Sequence, residues 1–429
     1  MPPQPRVLLD GSAAGSSATG LTIKGNNSRV VGFYIVNFST FGVLSEADNV
    51  AIACNVVGLN EQGAKAGNKF VGVLVSGANN VVGHIDGLAG NVLSGNQGYG
   101  VEVGSGNGAV IRGNFIGTSL NGQQARGNEQ NGLEISGGSN AIIGGPNPRD
   151  RNVIAGNAAI GVNILGNDGG NRVIGNLIGL AADGVTALGN GNVGVSASFD
   201  DSSNIIGGTG AGEGNQIAFN ATGGVDRLLA PQIRILGNQI FSNGGAALDT
   251  EEDLAKPTIT KAQLNERKQL EIATTLTSTP NANFHIEFFA SKTCGADGTG
   301  EGELFLGRGR LRTNGSGAGQ LAMTFTQVVP EGRQITATAT GNDGNDPAST
   351  SKFSACVTVT ALAPPSAPQL TPDEATTDED TPVTIDVLGN DLRGSGSDLV
   401  LVAVGEPQSG AAATVTNKVR YTPHPNFNG

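Results

Sequence analysis

Short runs of β-branched and aliphatic residues, separated by glycine and asparagine, fill the first 250 or so residues of the chain. Val101–Val103, Ala109–Ile111 and Phe115–Ile116 are examples. Alternation within such a run places one set of side chains on one face of a strand. The 3.6-residue period of a helix is missing, and glycine at this density would destabilise helices by about 1 kcal/mol each. The pattern therefore predicts short strands joined by tight turns.

Two asparagine motifs repeat at a fixed distance along this region. The first motif contains Asn55, Asn114, Asn176 and Asn238, spaced by 59, 62 and 62 positions. The second contains Asn96, Asn157 and Asn220, spaced by 61 and 63 positions. A glycine followed by valine or leucine recurs about twice as often, which gives a coil of about 30 residues whose loops alternate between neighbours. A fixed period indicates one structural unit stacked on itself, and three short parallel strands per coil predict a β-solenoid over residues 1–255.

The repeated asparagines have a structural interpretation. A tight corner between strands often needs a positive φ, which glycine and asparagine tolerate best. When corners stack, asparagine lies over asparagine, and the amides can hydrogen-bond along the solenoid axis as a ladder. We therefore interpret the seven asparagines as a structural ladder and not as ligand-binding residues.

The pattern of hydrophobic and polar residues changes after Asp249. From residue 256 to 362, longer alternating strands are separated by turn signals such as Asn314-Gly315, which predicts an antiparallel β-sandwich. Residues 363–372 form a proline-rich linker. Residues 373–429 predict an incomplete second β-sandwich module. The predicted fold is thus all-β: a parallel solenoid followed by one complete and one partial β-sandwich.

The repeat resembles the right-handed parallel β-helix class shared by pectin lyases and many large secreted bacterial proteins. The motifs that carry this resemblance are Asn204–Gly208, Arg151–Asn157 and Gly161–Ile164. It covers about 60% of the chain and implies a right-handed parallel β-helix. It specifies the fold much more closely than any activity.

Both C-terminal modules resemble known extracellular modules. Residues 284–290 and 353–356 are similar to the immunoglobulin-like module that commonly caps such β-helices, and residues 377–391 are similar to the start of the cadherin-like repeats of bacterial adhesins. Those repeats usually continue with an acidic turn suited to calcium. Here Leu392–Asp398 holds one carboxylate, whereas calcium prefers six to eight oxygen ligands. Asp378 and Asp380 are therefore weak calcium candidates, with a solvated strand entry as the alternative, and no other cofactor is expected.

The three cysteines divide into a candidate pair and a single residue. Cys294 and Cys356 both lie in the first sandwich, and a disulfide between them would close a loop of about 60 residues, worth roughly 4 kcal/mol in the chain-entropy model. Two reduced cysteines are the alternative. Cys54 has no evident partner and is interpreted as a small core residue.

The amino-acid composition argues against several classes of binding partner. The net charge of −12 disfavours nucleic acid, and the absence of tryptophan, with 4% aromatic residues, argues against an aromatic stacking platform. The sequence contains no run of about 18 apolar residues, which is the length that a membrane-spanning helix requires. The N-terminus has no apolar segment of a signal peptide, but the resemblance leads us to expect a secreted or cell-surface monomer whose signal peptide lies outside this sequence.

Few residues suggest catalytic chemistry. Asp200 and Asp201 resemble the carboxylate pair of polygalacturonases, in which an acid protonates the glycosidic oxygen and a base activates water. The Gly-His-Gly and Arg-Ile-Lys motifs of that family are absent from the sequence, so a solvated corner is the alternative. The histidines lie in three separate segments, which disfavours metal coordination, and His84 is expected to face solvent. Five arginines would bind an acidic sugar if they lined one face, and otherwise aid solubility: Arg112, Arg126, Arg149, Arg151 and Arg172.

Two functional hypotheses follow. The first is a non-enzymatic extracellular stalk or adhesion protein whose solenoid faces bind a glycan or another cell surface. The alternative is a polysaccharide lyase or glycoside hydrolase acting on an acidic polysaccharide along the β-helix, with Asp200 or Asp201 in the site.

Overall fold

A computed structural model shows an all-β protein. It describes residues 5–85, 87–165, 169–198, 204–228, 233–250, 254–295, 298–341, 349–362, 367–394 and 398–427. The described residues contain no helix, and hence none that is long and apolar enough to cross a membrane.

The solenoid consists of short strands that follow one another around three faces. Its strands are β1 (Val7–Asp10), β2 (Leu21–Ile23), β3 (Arg29–Val31), β4 (Phe33–Val36), β5 (Val43–Ser45), β6 (Ala51–Ala53), β7 (Val56–Val57), β8 (Val73–Val75), β9 (Val81–Gly83), β10 (Val92–Leu93), β11 (Val101–Val103), β12 (Val110–Arg112), β13 (Phe115–Ile116), β14 (Leu133–Ile135), β15 (Ile142–Gly144), β16 (Val153–Ile154), β17 (Val162–Leu165), β18 (Arg172–Ile174), β19 (Leu177–Ile178), β20 (Val193–Ser198), β21 (Ile205–Gly207), β22 (Gln216–Ala218), β23 (Gly223–Leu228), β24 (Arg234–Leu236), β25 (Gln239–Phe241) and β26 (Leu248–Thr250).

Every third strand joins the same parallel sheet, which is the defining topology of a parallel β-helix. Sheet A runs from β1 through β4 and β7 to β25, sheet B from β2 to β26, and sheet C from β3 to β24. One coil is one strand from each sheet in chain order. The predicted parallel solenoid is therefore confirmed.

Inward side chains stack in register along the axis. In sheet B, Val73, Val101, Leu133 and Val162 are successive partners, and all four are completely buried. Burial of an aliphatic side chain stabilises a fold by roughly 1.5–3 kcal/mol. The core is thus a continuous apolar column that each new coil extends.

The two-coil period of the sequence has its origin in the loops. The third, fifth and seventh coils carry long connections from sheet A to sheet B, at residues 58–72, 117–132 and 179–192. The same coils carry long connections from sheet C to sheet A, at residues 84–91, 145–152 and 208–215. In the intermediate coils the second connection shrinks to two residues, at 113–114, 175–176 and 237–238. Long loops therefore flank sheet A on both sides in every second coil.

An antiparallel sandwich follows the solenoid. Its strands are β27 (Thr258–Leu264), β28 (Leu270–Thr277), β29 (Asn283–Ser291), β30 (Leu304–Arg312), β31 (Ala318–Phe325), β32 (Gln334–Gly341) and β33 (Val357–Thr358). One sheet has the order β27-β28-β31 and the other β30-β29-β32-β33. Phe289 and Phe353 belong to the hydrophobic core of the solenoid and close its C-terminal end. Residues 1–361 accordingly form one compact unit, although the residue pattern of the sequence changes near residue 255.

Residues 362–429 form a second unit. It contains an antiparallel sheet with the order β34-β36-β35, whose strands are β34 (Val383–Ile385), β35 (Gly410–Val415) and β36 (Lys418–Pro423).

Candidate functional site

The repeated asparagines form two continuous ladders inside the solenoid. Each side-chain amide donates to the amide oxygen of the asparagine in the next coil, over 2.8–3.0 Å. The first ladder is Asn55, Asn91, Asn114, Asn152, Asn176, Asn215 and Asn238. The second is Asn68, Asn96, Asn128, Asn157, Asn190, Asn220 and Asn243. Sequence reasoning singled out alternate members only, although most of the others also follow a glycine.

The positive φ at the corners belongs to the residue before the asparagine. Gly113, Gly175 and Gly237 have φ values of 68°, 68° and 66°, whereas Asn114 and the other ladder asparagines are not in the left-handed region. The asparagines therefore contribute amide hydrogen bonds, and the preceding residue makes the turn. This differs from the expectation that asparagine itself would turn the corner.

Cys54 and His84 are both placed differently from their sequence interpretation. Cys54 takes the corner position of those glycines, with φ of 58°, and is half-buried at the corner and not in the core. The His84 side chain is 25% exposed, and its Nδ1 is buried without a hydrogen-bond partner, so it does not simply face solvent.

The other predicted site residues are the two aspartate pairs and the two remaining cysteines. Asp200 and Asp201 fall outside the described residues. Cys294 and Cys356 are joined by a disulfide. Asp378 and Asp380 are both exposed, and Asp380 accepts a hydrogen bond from the Asn426 amide. Within the described part of the chain, no three His, Cys, Asp or Glu residues converge as a metal site.

A cleft lies where sheet A meets the sandwich. The backbones of Ile240 and Gly302 exchange hydrogen bonds of 2.9 and 2.7 Å, so the segment around Gly302 continues sheet A beyond β25. On the outer face, Gln216 and Gln239 are partners in register, and Glu303 follows Gly302 on the added strand. The cleft has a volume of about 560 Å³.

One side of this cleft is apolar. The rings of Phe219 and Phe241 meet edge to face, with centroids 6.0 Å apart, and Leu180 and Val185 of the long loop 179–192 complete this side. Both rings are half-buried. A mostly apolar wall beside a few polar groups is the usual composition of a small-molecule pocket.

The two carboxylates of the cleft differ in their electrostatics. Burial raises the pKa of Glu301, although the Ser242 amide donates to its Oε2 over 3.0 Å. Burial also acts on Glu303, but the hydrogen bonds and charge of Lys292, together with Arg333, outweigh it and lower the pKa of Glu303. The environment thus favours the charged form of Glu303 and disfavours the charged form of Glu301.

Comparisons with known proteins bear on the modules. Residues 365–429 match the family described as Bacterial Ig domain. A mutant of the periplasmic alginate epimerase AlgG is similar in structure, with a TM-score of 0.35 and 16% identity. The similarity covers 55% of this chain and 48% of that one, so the chain spans about half the length of that structure. No curated protein matches the chain.

This is a parallel β-helix protein with an immunoglobulin-like module. The sheet topology and the Ig-domain match decide that description. The likeness of residues 377–391 to cadherin-like repeats stays a prediction.

The β-helix also brings together an acidic pair that sequence reasoning missed. Glu102 and Glu134 are partners on neighbouring strands of sheet B and lie on its outer face. Asn131 and Asn163 donate to Glu134 over 2.7 and 3.2 Å, and the residue is 2% exposed. Burial raises the pKa of Glu134, and the charge of Glu102 adds to this. Only the spacing of the Gly-Val/Leu motifs, which sets Glu102 and Glu134 in equivalent positions, could have indicated the pair.

The five arginines differ in their partners. Arg126 binds the Gly63 carbonyl over 3.1 Å and Arg172 pairs with Glu213 over 2.8 Å. Arg149 and Arg151 lie together beside a different pocket, on the loop 145–152.

Proposed function

We propose that the protein is a non-enzymatic extracellular stalk that binds carbohydrate in the cleft between sheet A and the sandwich. The observation that carries this proposal is the row Gln216, Gln239 and Glu303 beside the Phe219–Phe241 pair. Amide side chains both donate and accept hydrogen bonds, as sugar hydroxyls do. The aromatic pair offers an apolar surface for the C–H face of a sugar ring.

The stalk role rests on how the β-helix is reinforced. Two amide ladders run through the stacked coils, and every rung except the last one of the second ladder, between Asn220 and Asn243, is buried, where a hydrogen bond resists competition from water. Coils contact only their neighbours, so such a solenoid acts as an extended spacer. The spacer would present its cleft to a glycan or to the surface of another cell.

An extracellular location is supported by two features. The Cys294–Cys356 disulfide belongs to an oxidising compartment, since disulfides are rare in the cytosol. The C-terminal module matches a bacterial Ig domain.

Binding of defined oligosaccharides tests the cleft. We would titrate neutral and uronic-acid oligosaccharides into the wild type and the variants Gln239→Ala and Phe241→Ala. Both variants should bind at least about tenfold more weakly, because each removes a polar or apolar contact worth about 1.4 kcal/mol. Thr22→Ala, on the outer face of sheet B, is the control and should bind normally. Equal affinity of wild type and both cleft variants for every sugar would refute the proposal.

A polysaccharide lyase or hydrolase is the second candidate, favoured by the Glu102–Glu134 pair. A carboxyl with a raised pKa beside a second carboxylate can act as general acid and base. Tyr99 lies close enough for the charge of Glu134 to add to burial in raising the pKa of its phenol. Release of reducing or unsaturated ends from a polysaccharide, lost in Glu134→Gln, would establish this function and exclude the non-enzymatic one.

A further inference from the structure

A second pocket of about 440 Å³ lies on the sheet C side of sheet A. The pocket forms because coils with long loops alternate with coils that have short ones. The long loops 84–91 and 145–152 belong to the third and fifth coils, and between them the fourth coil turns in two residues at Gly113 and Asn114. The short corner leaves a gap between the two loops, with Phe115 in its lining.

The pocket is lined by basic side chains. Arg149 is exposed and Arg151 is half-buried, and in the described part of the chain neither has an ion-pair partner. Arg151 uses its Nε to bind the Gly175 carbonyl over 3.1 Å, which holds the guanidinium in place. His84 lines the same pocket, and its buried Nδ1 has no hydrogen-bond partner.

Among the described residues, the acidic residue near these groups is Asp150, and it is already engaged. Asp150 is 9% exposed and accepts a hydrogen bond from the Asn147 amide over 3.0 Å. Its Oδ1 lies 3.8 Å from both Arg112 and His84. Arg112 therefore offsets the charge of Asp150, and no carboxylate of the described residues pairs with Arg149 or Arg151.

The next gap along the β-helix provides an internal comparison. It lies between loops 145–152 and 208–215, above the corner at Gly175. There Glu213 pairs with Arg172 over 2.8 Å and receives the Gly210 amide over 2.8 Å. In that gap Glu213 pairs with Arg172, as Asp150 pairs with Arg112 in the first gap. The first gap holds two further arginines, Arg149 and Arg151, for which the described residues provide no carboxylate partner.

We propose that the first gap binds an oxyanion, a carboxylate or a sulfate, carried by an acidic glycan. A guanidinium group can donate two parallel hydrogen bonds to two oxygens of either anion. On a chain with a net charge of −12, a pocket with two arginines that pair with no carboxylate of the described residues is also a local reversal of the surface potential. The choice of a glycan as carrier rests on the proposed function, whereas the pocket and its residues are separate from the cleft.

The two sites lie on the same side of the β-helix. Phe115 lies three strands of sheet A from Gln216, which is about 14 Å at the usual strand spacing. A single extended glycan could therefore contact the oxyanion pocket and the sugar cleft together.

The test uses the full chain and three polymers: polygalacturonate for carboxylate, heparin for sulfate and dextran as the neutral reference. Dissociation constants would be measured at low and moderate salt. We expect the wild type to bind one or both acidic polymers more tightly than dextran, and more weakly as salt rises. The double variant Arg149→Gln/Arg151→Gln should lose at least about tenfold in affinity, because it removes two charge-assisted contacts. Which acidic polymer binds identifies the anion.

The control is Lys69→Gln/Arg267→Gln, which removes the same two charges from exposed positions outside the pocket. It should change affinity by less than about twofold, since screened charges at a distance contribute little. Arg149→Glu, a single change at an exposed residue, guards against misfolding of the double variant and should abolish acidic-polymer binding. The proposal is overturned if neither acidic polymer binds more tightly than dextran, or if control and pocket variants lose affinity equally. The loss caused by Arg149→Gln/Arg151→Gln should be equally large in the wild type and in the Gln239→Ala background, since distant sites contribute additively, so failure of one site is distinguishable from failure of the other.

Discussion

Gly302 of the sandwich donates its backbone amide to Ile240 over 2.7 Å and accepts the Ile240 amide over 2.9 Å. Ile240 lies on the last strand of sheet A, so this exchange gives that strand a partner on its outer edge. A Cβ at Gly302 would lie 2.8 Å from Phe289 and 3.0 Å from Phe353. The close approach of backbone to aromatic rings therefore requires glycine, and it positions Glu301 and Glu303 at the cleft.

Gly302→Val should separate the sandwich edge from sheet A. The added side chain overpacks the rings of Phe289 and Phe353, which costs typically about 1–3 kcal/mol. We expect a lower free energy of unfolding in urea and loss of oligosaccharide binding in the cleft. Gly315→Ala is the matched control, because a Cβ there meets nothing within 4 Å. Unchanged stability and binding in Gly302→Val would show that the contact is dispensable.

Asn114→Ala should destabilise the solenoid by about 3 kcal/mol. The Asn114 amide donates to the Val82 carbonyl over 2.9 Å and to Asn152 over 3.0 Å, and its oxygen accepts from Asn91 over 3.0 Å. Truncation leaves buried polar groups of both neighbours unpaired, at about 1–3 kcal/mol each. Urea unfolding measures the difference. Asn107→Ala, an exposed asparagine, should cost less than about 0.5 kcal/mol, and equal costs would contradict a ladder role.

Cys54→Gly should stabilise the protein. Cys54 has φ of 58° at a corner where Gly113, Gly175 and Gly237 stand in later coils, and a non-glycine residue in that region costs about 1–2 kcal/mol. The gain should be about 0.5–1 kcal/mol after allowance for the extra freedom of glycine in the unfolded chain. Cys54→Ala keeps a Cβ and should bring no gain. A thermal melt of the two variants compares them, and equal melting temperatures would mean that the corner is not strained.

Glu287 should make stability fall as pH rises. It lies at the contact between β29 and the solenoid, where it accepts the Gly237 amide over 2.8 Å and lies 3.4 Å from Arg308. Burial raises its pKa from 4.5 to about 7. The folded state thus holds a proton that the unfolded state has lost, so the contribution is complete below pH 4.5 and is lost as pH rises through 7.

The measurement is the free energy of unfolding between pH 5 and 8 in the wild type and in Glu287→Gln. The wild type should lose on the order of 3 kcal/mol more than the variant across this range, since one unit of pKa corresponds to about 1.4 kcal/mol. Glu266→Gln, at an exposed position, should follow the wild-type profile. Parallel profiles for the wild type and Glu287→Gln would mean that Glu287 is ionised throughout.

Local pattern predicted the solenoid well because each coil repeats the same short-range chemistry. The spacing of Asn114, Asn176 and Asn238 gave the two-coil period. Asn152 and Asn215, the ladder members between them, were missed because each ends a long loop and the residues before it differ. The sequence around His84 indicates a solvent-facing side chain, because the loop that completes its pocket lies some 60 residues later in the chain. The repeat period of the sequence indicates only the features that every coil shares. The pocket beside His84 forms between two different loops, so the period gives no sign of it.

The sequence by itself determined the stacking: apolar alternation defines the inward faces, and glycine and asparagine at fixed spacing define the corners. Only the tertiary structure decided which residues meet across coils and modules. Gln239 and Glu303 are 64 positions apart and come together because Gly302 extends sheet A, while Glu102 meets Glu134 because the register aligns their coils. These contacts depend on loop length and on how the sandwich caps the solenoid, and neither leaves a periodic signal along the chain.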